Sequence, residues 1–87
     1  MIIYARAVID WREDVEIWRQ VSNEIRRRIR SGEYKSGYRL TQNAVSQEFG
    51  VAHNTARKAF AHLREQGLIY TRIRLGSFVG PEPPEEE

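Results

Sequence analysis

"FGVAHNTARKAFAHLREQGLI" (residues 49–69) is the stretch on which the fold turns. Ala56, Ala59, Phe60 and Leu63 recur at i, i+3, i+4 and i+7, the spacing of one apolar stripe on an α-helix. A helix is therefore expected from about Ala52 to Gln66. Gly50 suits the left-handed conformation that ends a preceding helix, and Gly67 stops this one. Opposite the stripe, near the helix start, stand His53, Asn54, Arg57 and, more peripherally, Lys58, with small Ala61 next on that side. Arginine can donate two bonds to guanine O6 and N7, and asparagine can pair with adenine N6 and N7. Every amphipathic helix carries polar residues opposite its stripe, so the segment by itself fits a solvated basic face equally well.

The flanks narrow the choice. Upstream, a short helix is expected to start at Thr41, a good N-cap, and to carry Val45 and Phe49 inward, four residues apart. Short helix, tight turn at Phe49-Gly50-Val51 and longer helix is the layout of a helix-turn-helix, whose second helix enters the DNA major groove. Further upstream, Trp18, Val21, Ile25 and Ile29 share one face of a first helix expected from about Asp14. Glu13, Asp14 and Glu16 favour its start, and Arg26, Arg27, Arg28 and Arg30 favour its end. These four arginines read mainly as a solvated face, with contact of part of the run with phosphate as the alternative, and Trp11 and Trp18 read as core or dimer contacts rather than stacking platforms. "SGEYKSG" (31–37) makes the turn that follows.

Downstream the period changes. "LIYTRIR" and "SFVG" read as two strands of a hairpin joined near Arg74-Leu75-Gly76, closing the core with Ile69, Ile73, Phe78 and Val79. The expected fold is mainly α with a small β-hairpin: a winged helix-turn-helix of three helices plus wing. "MIIYARAVID" adds a possible short N-terminal strand or ordered arm. Residues 1–12 are thus assigned to the arm, 13–80 to the winged domain and 81–87 to a disordered acidic tail or the start of a linker.

Charge points the same way. The net +2 hides a tail with four acids and no base, so the remaining chain sets 14 bases against 8 acids. Residues 51–79 hold Arg57, Lys58, Arg64, Arg72 and Arg74 against the single acid Glu65. A positive field of this kind suits a polyanionic partner. No apolar run approaches the roughly 20 residues of a bilayer span, and no signal-peptide core opens the chain, so a cytoplasmic location is expected by default. With no cysteine there is neither disulfide nor thiolate chemistry. His53 and His62 are nine residues apart on one helix, roughly 180° around it, so they cannot share a metal. Ser46 and Ser77 lack the context of a nucleophile. No enzyme, metal or cofactor is expected.

"WRQVSNEIRRRIRSGEYKSGYRLTQNAVSQEFGVAHNTARKAFAHLREQGLIYTRIRLGSFV" resembles the DNA-binding domain of the GntR family of bacterial transcription regulators over roughly residues 17–79. "SGEY", Gly37, Leu40, "FGV", Thr55, Arg57, "REQGLI" and "GSFV" all fall at matching places, and the ordered set carries the likeness. The resemblance implies a winged helix-turn-helix that binds operator DNA, usually as a dimer on a short inverted repeat. It matches Arg57 to a recognition-helix arginine, Thr55 to a threonine touching phosphate or base, and Gly76 to the second wing glycine. There are departures. His53 stands where the family has arginine, Ala52 where a Ser or Thr caps the recognition helix, and Asn43 where an arginine sits on the second helix. The proline before that helix is missing, and Arg74 replaces the first wing glycine.

The expected function is therefore sequence-specific binding of double-stranded DNA by a transcription regulator, a nucleoid-associated repressor acting as a homodimer. Arg57, His53 and Asn54 are expected to read bases. Thr41, Gln42, Thr55, Lys58, Arg72, Arg74 and Gly76 are expected along the backbone, with Thr41 and Gln42 offering helix-end N–H groups to phosphate. An architectural DNA factor of a mobile element and a winged-helix adaptor for protein partners are the alternatives. Relatives continue beyond the wing into an effector domain, so the chain is expected to be either a minimal regulator or the DNA-binding part of a longer one. It is expected to bind no small-molecule effector.

Overall fold

The computed structural model describes residues 10–84. The expected N-terminal strand lies, but for Asp10, outside them. Helix α1 spans Ile17–Arg30, strand β1 Arg39–Leu40, helix α2 Gln42–Phe49, helix α3 His53–Glu65, and strands β2 and β3 Ile69–Arg72 and Gly76–Val79. Three helices pack around one core of Val21, Ile25, Leu40, Val45, Phe49, Ala56, Ala59, Phe60, Leu63, Ile69 and Val79. The stripes expected on α2 and α3 are the buried ones. Phe60 is its largest fully buried side chain, and Ala56 and Ala59 let α3 approach α1 and α2 closely.

The helix ends follow from local chemistry. Thr41 is extended, and its hydroxyl accepts the Ala44 N–H at 3.1 Å, capping α2. Gly50 closes α2 at φ 68, a conformation that strains residues with a Cβ. Ala52 begins α3 with extended backbone but offers no side-chain acceptor. Helix α1 starts three residues later than expected, because Glu13 and Asp14 form a turn ahead of it. The Gln20 side chain holds that turn: its Oε1 accepts the Arg12 N–H, and its Nε2 donates to the Arg12 and Val15 carbonyls, all at 2.8 Å.

The wing is wider than a hairpin. Strand β1 pairs antiparallel with β3 (Arg39 opposite Phe78, Leu40 opposite Ser77), giving a three-stranded sheet in the order β1-β3-β2. Two residues are too few to show a period of two, so the pattern alone did not reveal this strand. Strand alternation turns Leu40, Ile69 and Val79 to the helices. It leaves Arg39, Tyr70, Arg72, Gly76 and Phe78 on the outer face. Ile73, expected to close the core, is 89% exposed in the turn between β2 and β3, beyond the reach of the helices. Phe78 is half-buried and packs on Tyr70 across the strands, with ring centroids 5.7 Å apart.

The arginine run also needs correction. Arg28 is buried, whereas Arg27 and Arg30 are exposed. It lies seven residues from Val21 and three from Ile25, on the same stripe as the core. Its guanidinium donates to Tyr34 Oη at 2.6 Å and pairs with Glu48 at 2.8 Å and Glu24 at 3.0 Å. It also lies over the rings of Tyr34 and Phe49. Burial pulls the Arg28 pKa down, but the bonds to Tyr34, Glu48 and Glu24 outweigh that and raise it. Burial likewise pushes the Tyr34 phenol up. One cation thus ties α1, the turn after it and α2 together.

Candidate nucleic-acid interface

Helix α3 presents His53, Asn54, Arg57 and Lys58 as exposed side chains on the face away from its core stripe, with exposed Ala61 beyond them. The only acid on the helix, Glu65, is its last residue. Arg57 Nη2 donates to Asn54 Oδ1, one turn back. The two side chains therefore form one unit: the asparagine carbonyl orients the guanidinium, whose remaining N–H groups face solvent. Thr55 is half-buried instead, and lines a shallow groove of about 410 Å³ with Trp11, Ile17, Phe49, Gly50, Val51 and Ala52. Lys58 lies to the other side, in a groove shared with Trp18 and His62.

His62 is half-buried in the seam between α1 and α3. Its Nδ1 shares a 2.8 Å hydrogen bond with Ser22 Oγ, and its ring meets Trp18 edge-on at 5.2 Å. It is an internal contact, as is Trp18 on that side.

Thr41 and Gln42 sit at the α2 N-terminus. Thr41 Oγ1 takes the Ala44 N–H, and the N–H groups of Gln42 and Asn43 are the remaining donors of that turn. The wing is fixed to α3 by polar contacts: Arg64 Nη1 donates to Thr71 Oγ1 at 3.0 Å, and Thr71 Oγ1 meets Ser77 Oγ at 2.9 Å. These contacts add to the buried packing of Leu40, Ile69 and Val79 against the helices. Arg74, at the tip, holds φ 71, the left-handed conformation that a glycine would adopt without strain.

The structure divides the two expected wing arginines. Arg74 is exposed at the tip. Arg72 lies on the outer sheet face over the Tyr70 ring, where Glu82 pairs with it at 3.3 Å and the Pro83 carbonyl accepts from it at 3.4 Å. Arg72 is thus paired with the segment after the wing in a largely exposed contact. A second wing cation escaped the pattern-based reading. Arg39 of β1 lays its guanidinium across Gly76, its Nε 3.1 Å from where a Cβ there would sit. A Cβ at residue 76 would push it aside by a few tenths of an ångström, in addition to the strain of a φ of 115. The sequence signal was weak: one arginine in a two-residue strand, 37 positions from the glycine it covers.

A short helix, a left-handed glycine turn, an exposed basic second helix and an antiparallel wing define a winged helix-turn-helix domain. The chain belongs to the gntR family of bacterial regulatory proteins, whose family profile matches residues 18–79. It is 38% identical over 63 residues to an uncharacterized HTH-type transcriptional regulator of Rhizobium meliloti, a match covering 71% of this chain and 26% of that protein. It is 37% identical over 67 residues to the mannosyl-D-glycerate transport/metabolism system repressor MngR of Escherichia coli, covering 76% of this chain and 28% of the repressor. The chain therefore spans about a quarter of the length of these relatives. Among solved structures, the AraR DNA-binding domain in complex with operator ORX1 superposes with a TM-score of 0.79 at 30% identity, covering 90% of this chain and all of that one.

Proposed function

We propose that this chain binds operator DNA through α3 and the wing, and that it represses transcription as a pair of copies on an inverted repeat. The observation that carries the reading is the Asn54–Arg57 unit: an oriented guanidinium, exposed on the outer face of α3, with no acid paired to it among the described residues. Such a group is suited to donate two bonds to one guanine. His53 and the Asn54 amide N–H groups flank it and read neighbouring base edges. Thr55, Lys58, Arg74, Arg39 and the α2 N-terminus at Thr41 and Gln42 hold phosphates. Arg72 joins them once Glu82 is displaced, and Gly76 keeps the wing low enough for Arg39 to lie across it.

Pairing follows from the size of the site. One recognition helix contacts only a few base pairs, too few for a distinct operator, and two copies on a repeat double that number. The reading makes the chain a non-enzymatic cytoplasmic protein associated with the nucleoid. Among the described residues no helix is long and apolar enough to cross a membrane.

The test is fluorescence anisotropy on a duplex selected from a random pool and on an unselected duplex. Arg57→Ala is expected to cost about 1–3 kcal/mol on the selected duplex and little on the other. Equal losses on both would remove Arg57 from base reading.

A further inference from the structure

We propose that the wing tip is an apolar wedge, with Ile73 and Leu75 entering the minor groove of the bound duplex and parting a base step there. The inference rests on the DNA-binding reading above and adds to it how the wing selects its sequence. Ile73 is 89% exposed and Leu75 58%, more than any other large hydrophobic side chain among the described residues. The fold has no use for them. The inner sheet face is filled by Leu40, Ile69 and Val79, and the Tyr70–Phe78 pair occupies the outer one. A β-branched residue and a leucine at a hairpin tip add nothing to the core and leave a small apolar tip open to a partner.

Charge around the tip selects the partner. Arg74 stands between the two apolar residues in the turn and is exposed, and the Arg39 guanidinium lies across Gly76, the residue after Leu75. Apolar and cationic groups thus alternate along one short edge. That alternation complements a minor groove, where base steps form the floor and phosphates the rims. Proteins that bind there place arginines along the groove and insert Ile, Leu or Phe between bases. A second copy of the chain fits less well, because a symmetric tip-to-tip contact would set Arg74 against Arg74. Pyrimidine–purine steps unstack most readily, so the wedge favours TA or CA/TG at the wing position.

The experiment uses the full chain and duplexes selected by it from a random pool, with 2-aminopurine placed at each step in turn. Wild-type binding is expected to raise the fluorescence at one step, pyrimidine–purine in character, outside the bases read by α3. The double variant Ile73→Ser, Leu75→Ser is expected to lose that rise and the step preference. It should weaken binding to the selected duplex by roughly tenfold while random-duplex affinity stays within about twofold. Both residues are solvent-exposed, and an unchanged thermal midpoint confirms that the variant folds. An unaltered fluorescence rise and step preference in the variant would overturn the wedge alone, leaving the Arg57-dependent reading intact. Self-association of wild type without DNA, abolished by the double variant, would reassign the tip to a protein contact. Failure of wild type to bind any duplex would remove both readings together.

Discussion

Replacing Arg28 by methionine tests whether the buried cation holds the helical frame. The side chain is 8% exposed and faces three carboxylates: Glu24 at 3.0 Å, Glu48 at 2.8 Å and Glu33 at 3.7 Å. Methionine keeps most of the volume and the contact with Phe49 but removes every donor. Glu24 and Glu48 are then left close together, and the Tyr34 hydroxyl loses its donor. Removing one partner of a buried pair costs about 3–5 kcal/mol. Glu33 is 52% exposed and Glu48 30%, so both regain part of their hydration, and the expected loss is nearer 2–3 kcal/mol. For a domain of this size that lowers the thermal midpoint by roughly 10–20 °C.

The pH dependence carries the sharper sign. Hydrogen bonding to Arg27, opposed by burial and aided by Arg28, holds the Glu24 carboxyl below its usual range. A lowered folded pKa contributes stability that is complete above the ordinary glutamate value and is lost as pH falls through the lowered one. Wild type therefore loses this contribution on acidification below about pH 4.5, taking the ordinary value. Without Arg28 part of the lowering disappears, so the gap between variant and wild type is constant from pH 7 to about 4.5 and narrows as pH drops further, toward 3. Circular-dichroism melts across that range measure it. A variant that melts within about 2 °C of wild type at pH 7, or a gap that widens on acidification, would refute the argument.

Three further outcomes are expected. Ala52→Ser supplies the acceptor that α3 lacks at its extended N-cap, and should raise stability by about 1 kcal/mol, read as a higher thermal midpoint. Arg74→Gly should act in opposite directions: about 1 kcal/mol more stable, because a left-handed arginine is relieved, yet weaker on all duplexes with a salt slope shallower by about one. Glu82→Gln frees Arg72 from an exposed pair; stability should move by less than about 0.5 kcal/mol, while affinity for random duplex at low salt rises roughly threefold. Melts and anisotropy titrations on each variant separate these effects.

Much of the protein is legible along the chain because its helices obey local rules. The period of Ala56, Ala59, Phe60 and Leu63 decides which side of α3 is buried, and hence that His53, Asn54 and Arg57 face outward. Thr41 and Gly50 mark the ends of α2 through their own side-chain and backbone chemistry. The ordered motifs from "SGEY" to "GSFV" identify the family before any coordinate is known.

What depends on residues far apart in sequence was decided only by tertiary structure. Arg28 shares its run with exposed arginines, and becomes a buried hub because Glu48 and Tyr34 arrive from other elements. Strand β1 exists because β3 offers it a partner, and only that pairing carries Arg39 over Gly76. Ile73 follows the strand composition of its neighbours but lies past the last paired residue, where no helix can cover it. Arg72 and Arg74 look equivalent in "TRIRLG", yet one is held by Glu82 on the outer sheet face and the other stands at the tip. Local periodicity sets which face a side chain takes; only the folded chain sets what meets it there, because those partners are joined through space.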